Sequence, residues 1–410
     1  MSEEEYKQKI RFISKLGMSL NECGATSHRI ERHLTNVAVL LGVNGTFLIA
    51  PTSFTFCYWL HDPTDQRIQV VRTHSSGGDL GKLEQVDSLI EQFGAGELSF
   101  DQITSGLDEI NACARYYSKA TEAFSWMIVS ACFSSLLSSN LADAIVSGVV
   151  ALLIHVIVYI IEKSNRLENL IEVFAAFVSG IIVTSIAALG VSVNIPFVIL
   201  STVIAFVPGL ALTVALNEIA QKDLISGTSK LVDAIMAMLK LYFGAVIGVG
   251  LITHLTSASL STPIISDGNI PSWWVYPAIT LLAVGILIAF NIRPKLLIWC
   301  LISSYLAYFT TQLTAPHFGL TIAMMIGAFV VASYANLFAN FKNKPASIVL
   351  MSGLILLVPG SKTYMILNVW MTGQPMIKDT PNGTQAFLFF LALVGGLLFA
   401  SVVVPTKKSL

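Results

Sequence analysis

From about residue 120 onward the chain is a succession of apolar stretches of roughly 17–25 residues, parted by short polar connectors. That is the length a helix needs to cross the hydrocarbon core of a bilayer. Ten spans are expected, at about 121–139, 142–161, 169–190, 195–220, 231–256, 272–291, 296–313, 317–340, 346–370 and 384–404. Before residue 120 the pattern changes. Residues 3–21 and 26–42 have helical periodicity, the second as a stripe of Ile30, Leu34, Val37 and Leu41 that stops at Gly42. Residues 46–60 are rich in β-branched and aromatic side chains with Pro51 dividing them, and 67–73 alternates like a strand. Residues 83–93 and 100–117 read as helices. The pattern therefore predicts a small α/β domain over 1–119, a five-helix membrane module over 120–256 and a second over 271–410.

Two of the spans carry the same interruption. Val207-Pro208-Gly209 aligns with Val358-Pro359-Gly360 at an offset of 151 residues, and that offset also takes Asn217 to Asn368. Proline removes a helix hydrogen bond and glycine loosens the backbone, so each segment is expected to be a broken helix. Paired interruptions at corresponding places in two halves point to the binding site of a secondary transporter. A half-helix starting at Leu210 presents free N–H groups and a partial positive charge, which suits a carboxylate. Ten spans divide into two fives, and an odd number per set turns the second set upside down, giving inverted repeats. The bland alternative is a pair of packing kinks.

Gly209, Thr213 and Asn217 lie at i, i+4 and i+8, and Gly360, Tyr364 and Asn368 repeat that spacing. Asparagine can donate to a carboxylate and accept from an ammonium, so the stripe suits a zwitterion; interhelical hydrogen bonding is the alternative. Ionisable residues inside spans are costly and are functional candidates by default. Asp233, Glu218 and Glu172 are candidates for proton transfer, and Lys362 for pairing with a carboxylate. Asp233 and Lys240, seven apart, could instead pair structurally. Gly244, Gly248, Gly250, Gly395 and Gly396 read as close-packing positions.

Composition sharpens this picture. Mean hydropathy is +0.72 and 12% of residues are charged, well under the usual quarter. Residues 1–119 hold 15 Asp and Glu and 11 Lys and Arg, whereas the rest of the chain holds 10 and 13. A net charge of −1 argues against a nucleic-acid partner. With the N-terminus inside, the cytoplasmic connectors carry Arg115, Lys119, Lys163, Arg166, Lys222, Lys230, Arg293, Lys295, Lys342, Lys344, Lys407 and Lys408, and the outer ones only Lys378. This positive-inside asymmetry places both termini in the cytoplasm. The N-terminus has no apolar h-region, so no cleavable signal peptide is expected. The five cysteines form no C-x-x-C pair and read as free thiols; neither a metal site nor a cofactor is expected. No P-loop, H-E-x-x-H or G-x-S-x-G motif occurs, so neither direct ATP drive nor an enzyme is expected.

Residues 21–43 (NECGATSHRIERHLTNVAVLLGV), Phe206-Val207-Pro208-Gly209, residues 223–236 (DLISGTSKLVDAIM) and Leu357-Val358-Pro359-Gly360-Ser361 resemble the threonine/serine exporter family in its fused form. The related bacterial succinate exporter is similar, with the same arrangement split over two subunits. The resemblance covers nearly the whole chain. It implies a bacterial inner-membrane antiporter that exports threonine, serine or a dicarboxylate, driven by protons. The expected substrate site is Pro208, Gly209, Thr213, Asn217, Pro359, Gly360, Ser361, Lys362, Tyr364 and Asn368. A homo-oligomer is compatible with this reading. A channel, and a membrane-tethered enzyme or sensor working through residues 1–119, remain as alternatives.

Overall fold

The structure, a computed structural model, describes residues 2–60, 64–73, 78–138, 140–161, 170–256, 270–357, 364–365, 368 and 383–406. Helix α1 (Glu3–Glu22) is capped by Ser2, whose hydroxyl accepts from the Glu5 amide at 3.1 Å. Helix α2 (Ser27–Leu40) follows, then strands β1 (Asn44–Ala50), β2 (Ser53–Trp59) and β3 (Arg67–Arg72) in one antiparallel sheet of that order. Pro51 and Thr52 form the β1–β2 turn, because Ala50 pairs with Ser53. One sheet face buries Phe47, Ile49, Phe54, Phe56 and Tyr58 against Phe12, Leu16, Leu20, Ile30 and Leu34. Helices α3 (Leu80–Gly94) and α4 (Phe100–Ala112) complete this region, α4 with a full capping box at Ser99 and Gln102.

The long apolar helices are α5 (Lys119–Ser138), α6 (Leu141–Ile161), α7 (Ile171–Ala188), the pair α8 (Ile195–Thr202) and α9 (Gly209–Ala220), then α10 (Leu224–Thr256), α11 (Val275–Ala289), α12 (Leu297–Lys342), α13 (Ala346–Leu357) and α14 (Gly383–Val403). Among the described residues, seven helices are long and apolar enough to cross a membrane, or eight when the bent α8–α9 pair counts as one span. Their outer faces keep Val156, Ile160, Phe243, Leu313 and Phe399 exposed, as lipid contact requires. The count differs from the ten expected for two reasons. Helix α12 is assigned as one element although Gly319 inside it is non-helical (φ 78°, ψ 161°). There the chain doubles back: a Cβ on Gly327 would lie 3.0 Å from the Thr311 hydroxyl, whereas a straight helix would part those residues by about 24 Å. In the ninth stretch the described helix α13 covers 12 residues, with Tyr364, Met365 and Asn368 also helical further on. Helix α10 also begins earlier than the expected 231, its first turns steadied by Thr228 and Ser229 hydroxyls donating to Leu224 and Ile225 carbonyls.

Small residues set the tightest helix contacts. A Cβ on Gly248 would lie 2.3 Å from the Phe177 carbonyl oxygen, and one on Gly244 2.3 Å from that of Val173, so α7 and α10 meet backbone to backbone. A Cβ on Gly396 would lie 2.4 Å from the Met325 carbonyl oxygen, bringing α14 equally close to the second arm of α12.

The region before α5 docks on one end of these helices. Ser27 Oγ lies 2.7 Å from Ser226 Oγ in the first turn of α10. Arg29 donates to Ser347 Oγ at 3.4 Å in the first turn of α13, and Lys344 pairs with Glu84 of α3. Asn291, in the αL conformation between α11 and α12, donates to Asp79 at 2.8 Å and accepts from the Tyr116 amide at 2.9 Å. The α9–α10, α11–α12 and α12–α13 turns therefore share one side of the molecule with the first hundred residues. Asn336 and Asn340 of α12 donate to the carbonyls of Val404 and Pro405, which brings the chain after α14 to that side too.

Candidate functional site

Asn194 caps α8, its side chain accepting from the Phe197 amide, and Pro196 occupies the first turn. The helix ends at Thr202, a single 3₁₀ turn spans Ile204–Phe206, and Val207 is extended (φ −67°, ψ 115°). Pro208 forces this by excluding the residue before it from the helical region. Helix α9 then starts at Gly209, bent by 58° from α8. The first amide of α9 to find an intrahelical acceptor is that of Leu212, bonding Pro208 O at 2.9 Å. The amides of Leu210 and Ala211 are first-turn donors that no helix carbonyl can reach. They give the corner at 207–208 its partial positive charge.

Along the face that follows, Thr213 is fully buried and its hydroxyl donates back to Gly209 O at 3.1 Å, so the helix already satisfies it. Asn217 is half-buried, and its Oδ1 is sealed from solvent with no hydrogen-bond partner among the described residues. A buried carbonyl oxygen without a donor costs about 1–3 kcal/mol, and a ligand ammonium would relieve it. Glu218 beside it is buried and satisfied: Oε1 pairs with Lys230, and Oε2 accepts from Ser226 Oγ at 2.8 Å.

Of the second segment, Pro359, Gly360, Ser361 and Lys362 lie outside the described residues. Tyr364 and Asn368 lie within them. The Tyr364 ring is buried 6.1 Å from that of Tyr242 of α10. Tyr364 and Met365 share an apolar cluster with Val203 and Leu241, and Phe206 and Val207 pack against it. Helix α13 touches α9 as well. The corner before Gly209 and the chain just after Gly360 are thus neighbours. Tyr242 Oη is buried there with no hydrogen-bond partner among the described residues, a polar atom that its place in mid-span could have flagged.

The three candidate proton carriers have separate surroundings. Asp233 is exposed on α10. Glu172, in the first turn of α7, faces Lys240 across 3.7 Å, and its buried Oε2 has no hydrogen bond among the described residues. Lys240 therefore faces Glu172 of the neighbouring helix rather than pairing with Asp233 on its own. The Glu218–Lys230 pair was not legible beforehand, since a lysine in a connector reads only as a marker of sidedness. The five cysteines are free thiols.

Comparison with known proteins bears on the same residues. A family model described as putative threonine/serine exporter matches residues 11–252, and a second, described as threonine/serine exporter, matches residues 276–403. An uncharacterised protein of Schizosaccharomyces pombe is 24% identical over 386 residues, covering 87% of this chain and 49% of its own. Pheromone-regulated membrane protein 10 of Eremothecium gossypii is 22% identical over 394 residues, with 92% and 52% covered. The protein of that name in Saccharomyces cerevisiae is 22% identical over 342 residues, with 81% and 44% covered. The chain spans about half the length of these curated relatives. No solved structure matches.

Proposed function

The chain belongs to the threonine/serine exporter family, and on that premise we propose that it is a secondary transporter exporting threonine, serine or a similar small carboxylate metabolite. The observation that carries the reading is the corner at Pro208. Its first-turn amides suit a carboxylate, and two turns on, roughly 10 Å along the same helix, Asn217 Oδ1 is buried with no partner among the described residues, an acceptor open to a donor group of the substrate. Pro359, Gly360, Ser361, Lys362, Tyr364 and Asn368 would form the other wall.

The architecture we propose is ten spans in two inverted sets of five. Counting each arm of α12 once, and α13 with the chain after it once, gives that number. Two features support the inversion. The α7–α10 contact joins the third and fifth spans, and the contact between the second arm of α12 and α14 joins the eighth and tenth, both through glycine. The C-terminal end of α9 and the N-terminal end of α13 are both reached from α2, which supports opposite directions for the two segments. We place the side carrying the first hundred residues in the cytoplasm on the basic asymmetry of the connectors, the membrane being a bacterial inner membrane although the relatives named are fungal. Alternating access would move one set against the other. Of the three carboxylates we assign Glu172 as proton carrier, because Lys240 is too far to hold it by a hydrogen bond.

Uptake of labelled threonine, serine and succinate into proteoliposomes, with and without an imposed pH gradient, tests this. Saturable, gradient-responsive uptake is expected, and Glu172→Gln should lose the response to the gradient while retaining exchange. Preference for succinate would make this a dicarboxylate exporter. Flux that never saturates would mean a channel.

A further inference from the structure

We infer that the first turn of α2 is a strap joining the cytoplasmic ends of the two Pro-Gly segments, with Ser27 and Arg29 as positioning residues whose contacts part when the site opens inward. The inference rests on the transporter reading above. Residues 21–43 bear the family resemblance, yet among the described residues none of them touches the candidate site. What they touch are its two ends. The Ser226 hydroxyl donates to Glu218, so Ser27 must be the donor in its bond to Ser226. Ser27 thereby reaches, through one hydroxyl, the residue next to Asn217. Two positions further on, Arg29 donates to Ser347, at the start of the helix that leads into Val358-Pro359-Gly360. One helical turn thus bridges segments more than a hundred residues apart in the sequence.

The chemistry divides into a fixed part and a releasable part. Arg29 and Asp87 are both buried and bonded at 3.1 Å, which anchors the guanidinium to α3 whatever the membrane helices do. The links that Ser27 and Arg29 make to the membrane helices are to neutral serine hydroxyls, and the Arg29–Ser347 bond is long at 3.4 Å. Such bonds are individually weak. A polar cleft of about 540 Å³, lined by Glu84, Ser88, Arg293, Lys342 and Lys344 among others, lies beside the second-half contact. Groups released there enter solvent rather than an apolar core.

The test reads the opening directly. Asn217→Cys, in the full-length protein in inside-out vesicles, is labelled with a membrane-impermeant maleimide, and modification at that position is followed by mass spectrometry. Ser27→Ala and Ser347→Ala should each raise the labelling rate about fivefold, equivalent to ~1 kcal/mol. Ser27→Thr, which keeps the hydroxyl, should stay at the parental rate. Unchanged labelling in both alanine variants overturns the strap. In a second arm, S27C/S226C places thiols where hydroxyls lie 2.7 Å apart, within reach of a disulfide. Oxidation should cut flux about tenfold or more, a loss of at least ~1.4 kcal/mol, and reduction should restore it. Equal flux from the cross-linked and reduced protein also overturns the strap. Raised labelling with no flux in either redox state keeps the strap and removes the transporter reading instead.

Discussion

Asn217 and Glu218 are adjacent in the chain and differ in what they still need. The Asn217 carbonyl oxygen has no donor among the described residues, whereas Glu218 has a partner for each carboxylate oxygen. Asn217→Ala should therefore lower transport about tenfold or more at unchanged membrane abundance, the size of a lost hydrogen bond to a charged ligand group. Thr213→Val, which removes a hydroxyl already bonded to Gly209, should cost less than about twofold by the same reasoning. Flux measured against immunoblotted abundance separates them. Glu218→Gln should act on folding, since it removes the partner of the part-buried Lys230; the loss, smaller than the roughly 3–5 kcal/mol of a fully buried pair, is seen as a fall in melting temperature that a Glu218→Leu, Lys230→Met double variant recovers. Burial, then the neighbouring Glu218, raises the Asp223 carboxyl above its ordinary 3.8. Burial, then Asp223 among the charges, raises Glu31 above its ordinary 4.5. Each binds its proton more tightly folded than unfolded, so their contribution to stability falls as pH rises from the ordinary carboxylate range through the raised values. Asp223→Asn should flatten that fall in a series of melting curves.

At the scale of elements, α8–α9 and α12 show two breaks that are legible in a sequence on different grounds. Pro208 acts through its own missing N–H and on the residue before it, so V-P-G could be read locally as a corner. The break in α12 was legible otherwise, as the gap between the spans expected at 296–313 and 317–340; the reversal itself falls at Gly319, three residues after Pro316, with Trp299 of one arm against Phe338 of the other at 5.2 Å. The glycines were legible as close-packing positions, but not which of them carry a contact. Gly248 has the Phe177 carbonyl in the place of its absent Cβ, while Gly250, two residues on, has open space. Gly248→Ala should lower the melting temperature in detergent. Gly250→Ala should hold or raise it, since alanine favours the helix by about 0.5–1 kcal/mol.

At the scale of the whole molecule, the sidedness of the turns follows from a few contacts. Ser226, Asn291, Lys344 and Pro405 all lie at the end reached by α2, α3 or α12, while Gly190, between α7 and α8, lies at the far end of α7 from Glu172. A cysteine at Lys222 should be labelled from the cytoplasmic side and one at Leu189 only from the other; labelling of both from one side would contradict the proposed topology. The span lengths and basic connectors made much of this readable, because both are one-dimensional properties of the chain. The docking of the first hundred residues was not, because it depends on single hydroxyls meeting partners far away in sequence. That distance has a consequence in time. Arg29 meets Asp87 after 58 residues but Ser347 only after 318, a gap of 260 residues that takes roughly 13 to 52 s to synthesise at ordinary elongation rates. Throughout that interval the newborn N-terminal region has its own core but not its last bonds, and its polar docking face must wait in water beside the ribosome until α13 arrives.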